Sequence, residues 1–408
     1  MMVGVEAMNA YVGRACVDVR EIFNARGLDT QRFENLMMHE KSLGAPWEDA
    51  VTFGVNSARP VLDRLDDDER GRVELVITAS ESGVDFGKSL STYIHDYLGL
   101  SRNCRLFEVK QACYGATASL QMAASHLMAQ APAGAKALVI ATDVARATAR
   151  HSFAEPSQAV AAVSMLIGSD PAVMRLDQGA YGLCGYEVMD TCRPTADVET
   201  GDADLSLMSY LDCLDTAYAD YARKVEGDDH LGSFGALAFH TPFAGLVKGA
   251  HRHLSRSNGR KDLTEIGADF ESRVLPSLQY AMRTGNAYSA SLYLALISLI
   301  DNASSDASSR VGLFSYGSGC ASEFFSGVVP SSARTRVGDT AAQLDGRAVL
   351  DIETYDRLVD ANEEWGFGTH NKVMEFEGFG DLYRRRFEGE SLLVLDRISN
   401  FHREYKWS

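Results

Sequence analysis

Short runs of continuous apolar residues recur along this chain, and they restrict its fold more than any other feature. Val73–Ser80, Ala137–Thr142 and Ala159–Gly168 are each long enough for one strand and carry few polar side chains. Such runs are typical of strands that are buried on both faces. Helical patterns separate them, so the first half of the chain predicts a parallel or mixed sheet covered by helices on both faces, an α/β fold.

The second half of the chain repeats this scheme, with predicted strands at Phe234–Phe239 and Val311–Tyr316. Within Gly179–Glu226 the composition turns polar and rich in turn-forming residues. We therefore divide the chain into two halves, residues 1–178 and residues 179–408. The recurrence of strands and helices is by itself weak evidence for a duplicated fold.

Three chemically reactive side chains stand at the ends of predicted strands. They are Glu81, Cys113 and His240. Open α/β sheets gather their ligands at the carboxyl ends of the strands. A carboxylate, a thiol and an imidazole gathered at such an edge predict an acyl-transfer site.

Cys113 stands between a predicted strand and an Ala-rich helix that runs to about Ala129. The N-terminus of a helix offers unpaired N–H groups and the positive end of a dipole, so we expect the thiol to be shifted toward the thiolate. Most free cysteines are instead small buried hydrophobic residues, and the local sequence leaves both interpretations open. The carboxylate and imidazole at the other strand ends favour a nucleophile.

Composition and charge exclude several classes of protein. A formal charge of −17 disfavours nucleic acid as a partner, because that binding depends on clustered Lys and Arg. No run reaches the roughly 18 to 20 apolar residues of a membrane-spanning helix, and the N-terminus lacks a signal-peptide pattern, so we expect a soluble, cytoplasmic protein with no membrane partner. Seven cysteines without CxxC spacing predict free thiols and no metal site.

Positive charge is concentrated in one stretch of the second half. Residues 231–261 contain no Asp or Glu, and Lys248, Arg252 and Arg256 stand there among further basic residues. A solvated helix face is the ordinary explanation of such a run. Because the run follows the predicted catalytic histidine, we also predict a binding surface for a phosphate-bearing carrier protein.

Seven segments of the sequence match one known family, in the family's order. They are Val3–Met8, Ser80–Ser82, Gln111–Gly115, Phe239–Phe243, Gly285–Tyr293, Phe314–Gly319 and the tail near Arg397–Lys406. On these segments the chain resembles hydroxymethylglutaryl-CoA (HMG-CoA) synthases of the thiolase superfamily. It is most similar to the branch that installs β-methyl branches in polyketide assembly lines.

This resemblance implies a thiolase-like, five-layered αβαβα fold made of two similar halves. It also implies catalytic roles for the three reactive residues: Cys113 carries the acyl group, Glu81 is the general acid/base, and His240 assists at the oxygen of the acceptor. We expect burial to raise the pKa of Glu81 toward the working pH, as a general base requires.

The resemblance further implies a set of substrate-binding residues. It assigns the backbone N–H groups of Cys113 and Ser318 as the oxyanion hole, with Tyr316 and Gly317 beside them. Asn286 would be a side-chain donor near the acceptor. Without the resemblance, the glycine-rich tripeptide that follows Tyr316 would be an ordinary tight turn.

The implied reaction is a ping-pong condensation. Cys113 takes an acetyl group, Glu81 removes a proton from its methyl, and the carbanion attacks the β-keto carbon of an acceptor before water releases the product. The substrates would be phosphopantetheine-linked acyl groups, with no bound cofactor and no metal. The implied partners are donor and acceptor acyl carrier proteins, and a second copy of the chain in a homodimer.

The identity of the acetyl donor rests on one position. CoA-using members of the family carry a lysine about three residues after the proline that aligns with Pro242, and this chain has Gly245 there. We therefore expect acetyl-acyl carrier protein as the donor, with the mevalonate-pathway synthase, which uses acetyl-CoA and acetoacetyl-CoA, as the main alternative. A type-III ketoacyl synthase would have no counterpart of Glu81, and a non-catalytic paralogue would lose one of the three reactive residues.

Two segments depart from the family pattern, and one matches it only loosely. Ala147 replaces an aromatic residue, and Pro156–Val160 replaces a glycine-rich run, so both affect the predicted shape of the acyl pocket. Asp190–Pro194 and the later Asp202 loosely match acidic and Arg-Pro positions of the family.

Overall fold

The computed structural model describes residues 2–145, 150–151, 154–195, 198–227, 231–303, 307–379 and 381–408. Ala147 lies outside these ranges. The strands, in chain order, are β1 (Gly4–Tyr11), β2 (Ala15–Asp18), β3 (Glu40–Leu43), β4 (Val73–Ala79), β5 (Arg105–Val109), β6 (Lys136–Val144), β7 (Val160–Gly168), β8 (Met174–Gly185), β9 (Thr191–Thr195), β10 (Val198–Gly201), β11 (Ala236–Phe239), β12 (Ser309–Gly317), β13 (Ala321–Val329), β14 (Ala348–Leu350), β15 (Lys372–Val373), β16 (Leu393–Ser399) and β17 (His402–Trp407).

The helices connect these strands and cover them. In chain order they are α1 (Val19–Arg26), α2 (Thr30–Leu36), α3 (Ala50–Leu62), α4 (Asp67–Gly71), α5 (Leu90–Tyr97), α6 (Gly115–Ala129), α7 (Ala203–Lys224), α8 (Ala244–Ser257), α9 (Leu263–Arg273), α10 (Leu275–Leu278), α11 (Ala281–Thr284), α12 (Ser291–Asn302), α13 (Thr340–Asp345), α14 (Ile352–Glu363) and α15 (Leu382–Arg386). Short 3₁₀ helices lie at Tyr288–Ala290 and Ala333–Arg336.

The large sheet shows the predicted repetition. Its strand order is β11-β12-β13-β8-β1-β7-β6-β4-β5. The pairs β4–β6, β6–β7 and β7–β1 are parallel, antiparallel and antiparallel. The pairs β11–β12, β12–β13 and β13–β8 are likewise parallel, antiparallel and antiparallel. The two series join where β1 meets β8, so the sheet consists of two similar halves.

Alternating side chains of each strand point to two different hydrophobic cores. In β6, Ala137, Val139 and Ala141 belong to a central core, whereas Leu138 and Ile140 pack with α3 and α5 on the outer face. In the second half the outer core is built on α7 and α8. The central core is shared with α6 and α12. The layers therefore run helix, sheet, helix, sheet, helix, as the resemblance implies.

Side-chain hydrogen bonds link the two central helices to each other and to β12. The hydroxyl of Thr117 on α6 lies 2.9 Å from that of Tyr293 on α12 and 2.8 Å from that of Ser315 on β12. All three side chains are buried. Because Cys113 precedes α6 and Asn286 precedes α12, this packing fixes both residues relative to one another.

The region between the predicted halves is more regular than its composition indicates. It contains α7, a helix of 22 residues that buries Tyr210, Leu214, Ala217 and Tyr221 on one stripe. Most of its remaining positions are polar, although Leu205, Leu207 and Met208 are exposed, and the composition therefore did not indicate a helix. The boundary between residues 178 and 179 falls inside β8, and the division into 1–178 and 179–408 stays a prediction. None of the helices in the described ranges is long and apolar enough to span a membrane.

Candidate active site

Cys113 lies in the turn between β5 and α6, two residues before the helix begins. The backbone N–H groups of Tyr114 and Gly115 donate to the carbonyls of Gln111 and Ala112, both at 3.1 Å. Ala112 has a φ of 45°, in the left-handed region that non-glycine residues rarely adopt. A tight, strained turn therefore presents the thiol, and the predicted position at the very start of the helix is displaced by two residues.

The thiol of Cys113 donates a hydrogen bond to Oε1 of Glu81, with Sγ and Oε1 3.0 Å apart. Burial, followed by the charge of Glu81, raises the pKa of Cys113 well above its ordinary value. The expected shift toward the thiolate is therefore wrong for the unliganded site, because burial and a neighbouring carboxylate outweigh the helix dipole. The resting nucleophile is a thiol with its base already in place.

Glu81 follows β4 and is fixed by Asp143, the buried carboxylate near the end of β6. Asp143 accepts from the backbone N–H of Glu81 at 2.7 Å and from the hydroxyls of Ser80 at 3.2 Å and Ser289 at 2.6 Å. Burial, and then the charge of Asp143, raises the pKa of Glu81 to about 7. This value agrees with the expectation for a general base that works near neutrality.

Arg193 approaches Glu81 from the second half of the chain. Its Nη1 donates to the carbonyl of Glu81 at 3.0 Å, and its Nη2 pairs with Glu199. The guanidinium also lies over the ring of Tyr288, 5.3 Å from the centroid. Gln158 completes the chain of contacts by donating to Glu199 at 2.8 Å. The general base therefore stands where the two halves of the protein meet.

His240 follows β11 and is buried. Its backbone N–H donates to the carbonyl of Phe314 at 2.7 Å, and its own carbonyl accepts from the hydroxyl of Tyr210 at 2.8 Å. Burial lowers the pKa of His240 to about 3, so the imidazole is neutral at working pH. Within the described ranges its Nδ1 has no hydrogen-bond partner, so the ring has capacity left for a ligand.

The loop after β12 packs directly against the turn that presents Cys113. A Cβ added at Gly317 would lie 2.5 Å from the carbonyl oxygen of Gln111 and 2.7 Å from the nitrogen of Tyr114. Only glycine permits this approach. Asp190 holds the loop from the other side, because it accepts from the hydroxyl of Tyr316 at 2.6 Å and from the N–H of Gly319 at 2.9 Å.

Asn286 lies just before the 3₁₀ helix that leads to α12. Its side-chain oxygen accepts from the N–H of Tyr288 at 2.9 Å and from the hydroxyl of Ser291 at 3.0 Å. The backbone N–H of Asn286 donates to the carbonyl of Ser157 at 2.7 Å. Asn286 is therefore held by Pro156–Val160, the segment that differs from the family pattern. These contacts occupy the side-chain oxygen and leave Nδ2 as the donor.

A cavity of about 1050 Å³ brings most of the predicted site residues together. Glu81, Cys113, His240, Asn286, Tyr316 and Ser318 all line it, whereas Gly317, between Tyr316 and Ser318, is not part of its lining. In the described part of the chain there is no group of three or more His, Cys, Asp or Glu side chains that could hold a metal ion.

The predicted carrier-binding residues do not line this cavity. Lys248, Arg252 and Arg256 lie one turn apart on the exposed face of α8, whose N-terminal end does contribute to the cavity. Nearby basic residues are paired: His251 lies 2.7 Å from Asp269. The three exposed cations therefore form a surface beside the cavity and are not part of its wall.

Sequence reasoning assigned no role to the residues that hold Glu81 in place. Asp143 directly follows the apolar run Ala137–Thr142 and is the penultimate residue of β6, so a search for polar residues at strand ends could have identified it. Arg193 lies within Asp190–Pro194, the segment that loosely matches the family's Arg-Pro position, whereas Glu199 lies in the polar stretch with no periodic signal. Tyr288 is held with a φ of 50°, which no local sequence pattern indicates.

Comparison with known proteins agrees with this geometry. The family model described as "Hydroxymethylglutaryl-coenzyme A synthase N terminal" matches residues 1–172, and the model for the C terminal part matches residues 250–373. The chain is 49% identical to the polyketide biosynthesis 3-hydroxy-3-methylglutaryl-ACP synthase PksG of Bacillus subtilis (strain 168). The alignment spans 415 residues and covers 99% of each protein.

Two further comparisons place the chain within the family. It is 31% identical to a hydroxymethylglutaryl-CoA synthase of Enterococcus faecalis, over 88% of this chain and 91% of that one. The crystal structure of the curacin biosynthetic pathway HMG synthase in complex with acetyl donor-ACP superposes with a TM-score of 0.96 at 49% identity, over the full length of both chains. The chain therefore belongs to the hydroxymethylglutaryl-CoA synthase family, and it is a carbon–carbon bond-forming acyltransferase with the thiolase-like fold of that family.

Proposed function

We propose that this enzyme condenses an acetyl group from acetyl-acyl carrier protein with the β-keto carbon of a carrier-bound polyketide intermediate, and so begins β-branching. The hydrogen bond between Cys113 and Glu81 carries the chemistry of this proposal. Relatives support the choice of carrier protein. One is named as an HMG-ACP synthase, another was crystallised with a donor carrier protein, and both are 49% identical to this chain.

In the first step the sulfur of Cys113 attacks the carbonyl carbon of the acetyl thioester. The thiol proton passes to Glu81, which already accepts a hydrogen bond from it. The thiolate of the carrier then leaves and takes that proton. The products are acetyl-Cys113 and a free phosphopantetheine thiol, and Glu81 is again a carboxylate.

In the second step Glu81 removes a proton from the acetyl methyl. A pKa of about 7 leaves the carboxylate available as a base near neutral pH. We assign the backbone N–H groups of Cys113 and Ser318 as the oxyanion hole for the enolate oxygen. The approach of the Gly317 loop to the Cys113 turn supports this assignment, since it holds the two N–H groups in one place.

The enolate carbon then attacks the β-keto carbon of the acceptor. The proton that Glu81 removed from the methyl then passes to the resulting alkoxide, so Glu81 is again a carboxylate. We assign His240 and Asn286 to this oxygen as hydrogen-bond donors, with the imidazole neutral because of its lowered pKa. Water finally cleaves the thioester to Cys113 and leaves a carboxymethyl branch on a tertiary alcohol.

The choice of donor rests on Gly245 of α8. A Cβ at this position would lie 1.7 Å from the carbonyl oxygen of Asn35, at the end of α2. The backbone of α2 thus fills the place from which a lysine could reach the phosphates of CoA. The exposed cations Lys248, Arg252 and Arg256 remain on the same helix, and on a chain of charge −17 they suit an acidic carrier protein.

We also propose that the enzyme is a homodimer in the cytoplasm. The strands β5 and β11 are the two edges of the large sheet, and edge strands carry unpaired backbone groups suited to pairing across a two-fold axis. All seven cysteines are free, which suits a reducing compartment. Light scattering at micromolar concentration should give twice the mass of the chain, and a monomer would contradict the proposal.

Reconstitution tests the proposed reaction directly. The enzyme is mixed with isotopically labelled acetyl-carrier protein and with a second carrier that bears an acetoacetyl group. Intact-protein mass spectrometry should show that the acceptor carrier gains the mass of one acetic acid and carries the label. An acceptor carrier of unchanged mass, in the presence of acetylated Cys113, would refute the proposal.

A further inference from the structure

The ribbon of β9 and β10 contacts two loops of the site. Just before β9, Asp190 accepts from the backbone N–H of Gly319, in the loop that follows β12, at 2.9 Å. Three residues later, Arg193 donates to the backbone carbonyl of Glu81 at 3.0 Å. After β10, the N–H of Asp202 donates to the carbonyl of Asp190 at 2.9 Å and closes the ribbon at its base. The ribbon therefore links the loop of the proposed base to the loop of the proposed oxyanion hole.

Arg193 and Glu199 form an ion pair across this ribbon. Cys192 lies opposite Thr200 in the register of the two strands, so the paired side chains come from adjacent strands. The side chains are only 18% and 17% exposed, and both residues line the catalytic cavity. In such a place the loss of one charge leaves the other without a partner and poorly screened by water. The pair is therefore a fixed charge distribution in the wall of the cavity.

Each member of the pair has a second neighbour that fixes its position. The guanidinium of Arg193 lies 5.3 Å from the ring centroid of Tyr288, and Glu199 accepts from Nε2 of Gln158 at 2.8 Å. Gln158 is buried and belongs to Pro156–Val160, the segment that differs from the family pattern. Three separate parts of the chain thus hold the pair in place.

The carboxyl of Glu81 faces a small set of ionisable groups. Burial, and then the charge of Asp143, raises the pKa of Glu81. The charge of Arg193 acts on this pKa in the opposite direction, and the more weakly felt charge of Glu199 again favours protonation. The described groups that face the carboxyl, on the elements packed against it, are Cys113, Asp143, Arg193, Glu199 and Tyr288. Arg193 is the cation in this set.

We propose that Arg193 and Glu199 are a positioning pair for the general base: Arg193 holds the loop of Glu81 and supplies a positive charge beside its carboxylate, and Glu199 offsets part of that charge. The proposal rests on the role of Glu81 in the function proposed above. Neither member of the pair takes a proton from the substrate. Their effect is on the fraction of the base that is ionised at a given pH, and the two members act on that fraction in opposite directions.

The test is the pH dependence of single-turnover condensation on pre-acetylated enzyme, measured for each variant. Glu199→Gln removes a negative charge, so the carboxylate of Glu81 should form more easily, and the midpoint of the profile should move to lower pH by about half a unit. Arg193→Met removes the positive charge but keeps a long side chain over the ring of Tyr288. Its midpoint should move to higher pH by about one unit.

Two further variants separate charge from structure. Arg193→Lys keeps the charge but loses the planar fork that reaches two partners, so its rate should fall while its midpoint stays close to that of the wild type. The double variant of Arg193→Met with Glu199→Gln leaves neither charge buried alone. Its midpoint should lie between those of the two single variants, and therefore above that of Glu199→Gln even where Arg193→Met alone does not fold.

A pair that only stabilised the fold would lower the rate in every variant and leave the midpoint unchanged. That result would overturn the proposal. Two single variants that move the midpoint in the same direction would overturn it as well, because the two members carry opposite charges.

Asp177→Asn is the matched control. Asp177 lies 2.8 Å from Arg310, and the two side chains are 20% and 30% exposed, similar to those of the positioning pair. These residues join β8 to β12 outside the lining of the catalytic cavity. The control should leave the midpoint at its wild-type value, and a shift as large as that of Glu199→Gln would contradict the proposal.

The wild-type profile separates this proposal from the proposed function. A wild-type rate that rises through about pH 7, with single variants whose midpoints do not move, supports Glu81 as the base and contradicts the role of the pair. A wild-type rate that does not change with pH near neutrality contradicts the assignment of Glu81 itself and the role of the pair with it.

Discussion

The Sγ of Cys113 lies 3.0 Å from Oε1 of Glu81, although the two residues belong to different strand-to-helix connections. Burial raises the pKa of both groups, to about 7 for the carboxyl and well above the ordinary value for the thiol. The nucleophile therefore rests as a thiol beside its base. Once the sulfur is acylated, the carboxylate of Glu81 is available to remove a proton from the acetyl methyl.

Replacement of Cys113 by alanine or serine should abolish stable acetylation of the protein. A methyl cannot attack a thioester, and a hydroxyl in this buried place is a much weaker nucleophile than the thiol. Intact-protein mass spectrometry after incubation with acetyl-carrier protein measures the adduct. Replacement of Cys104 by serine, on the far side of β5, is the control and should leave acetylation intact. An acetyl adduct of undiminished yield in the Cys113 variants would contradict the assignment.

Glu81→Gln should separate the two half-reactions. The amide keeps the size of the side chain but cannot take a methyl proton, so condensation should fall by about 10²- to 10⁴-fold. Acetylation of Cys113 should persist at a reduced rate, since the thiol loses its partner but not its position. Glu353→Gln, on the exposed surface of α14, is the matched control. Equal losses in both half-reactions would contradict the role of Glu81 as base for the methyl.

The pH dependence of condensation should follow the carboxyl of Glu81. Only the ionised carboxylate can act as a base, so the rate should be low below its pKa, rise through about pH 7 and then level off. Because the pKa of His240 is lowered to about 3, no second limb from this histidine is expected near neutral pH. Single-turnover rates on pre-acetylated enzyme measure the profile. A fall in rate above neutrality would contradict this assignment of the two groups.

Gly317→Ala should damage the site without unfolding the protein. The added methyl would meet the backbone of the Cys113 turn at 2.5 Å, and backbone cannot move aside as a side chain can. A displacement of about 1 Å between loop and nucleophile can cost about 10²-fold in rate. Gly267→Ala, where nothing lies within 4 Å, is the control and should retain activity. Steady-state kinetics beside a thermal unfolding curve distinguishes a local from a global effect.

The strand ends could be predicted from the sequence because buried strands leave a clear pattern. Continuous apolar runs located β4, β6, β7 and β11 to within about two residues. The run of β4 placed Glu81, and the run of β11 placed His240. The duplicated fold came from the resemblance and not from periodicity. In the structure the duplication is visible in the repeated order of strand pairings, which depends on contacts between distant residues.

The electrostatic state of the site could not be predicted in the same way. The local sequence placed Cys113 near a helix dipole, but its pKa depends on burial and on Glu81, which no local pattern specifies. Arg193 lies in a polar stretch and reaches Glu81 only through the packing of one half on the other. The cations of α8 were predicted as a cluster, but only the structure shows that they lie outside the cavity.

The central claim, that the acetyl donor is a carrier protein, is tested by an acylation time course. Acetyl-carrier protein and acetyl-CoA are supplied at equal concentration, and acetyl-Cys113 is followed by intact-protein mass spectrometry. Arg252→Glu and Arg256→Glu should slow only the carrier reaction, whereas Arg336→Glu, exposed elsewhere, should change neither. We expect the carrier protein to acylate Cys113 about tenfold faster or more. Equal or faster reaction with acetyl-CoA would contradict the claim and favour a mevalonate-type synthase.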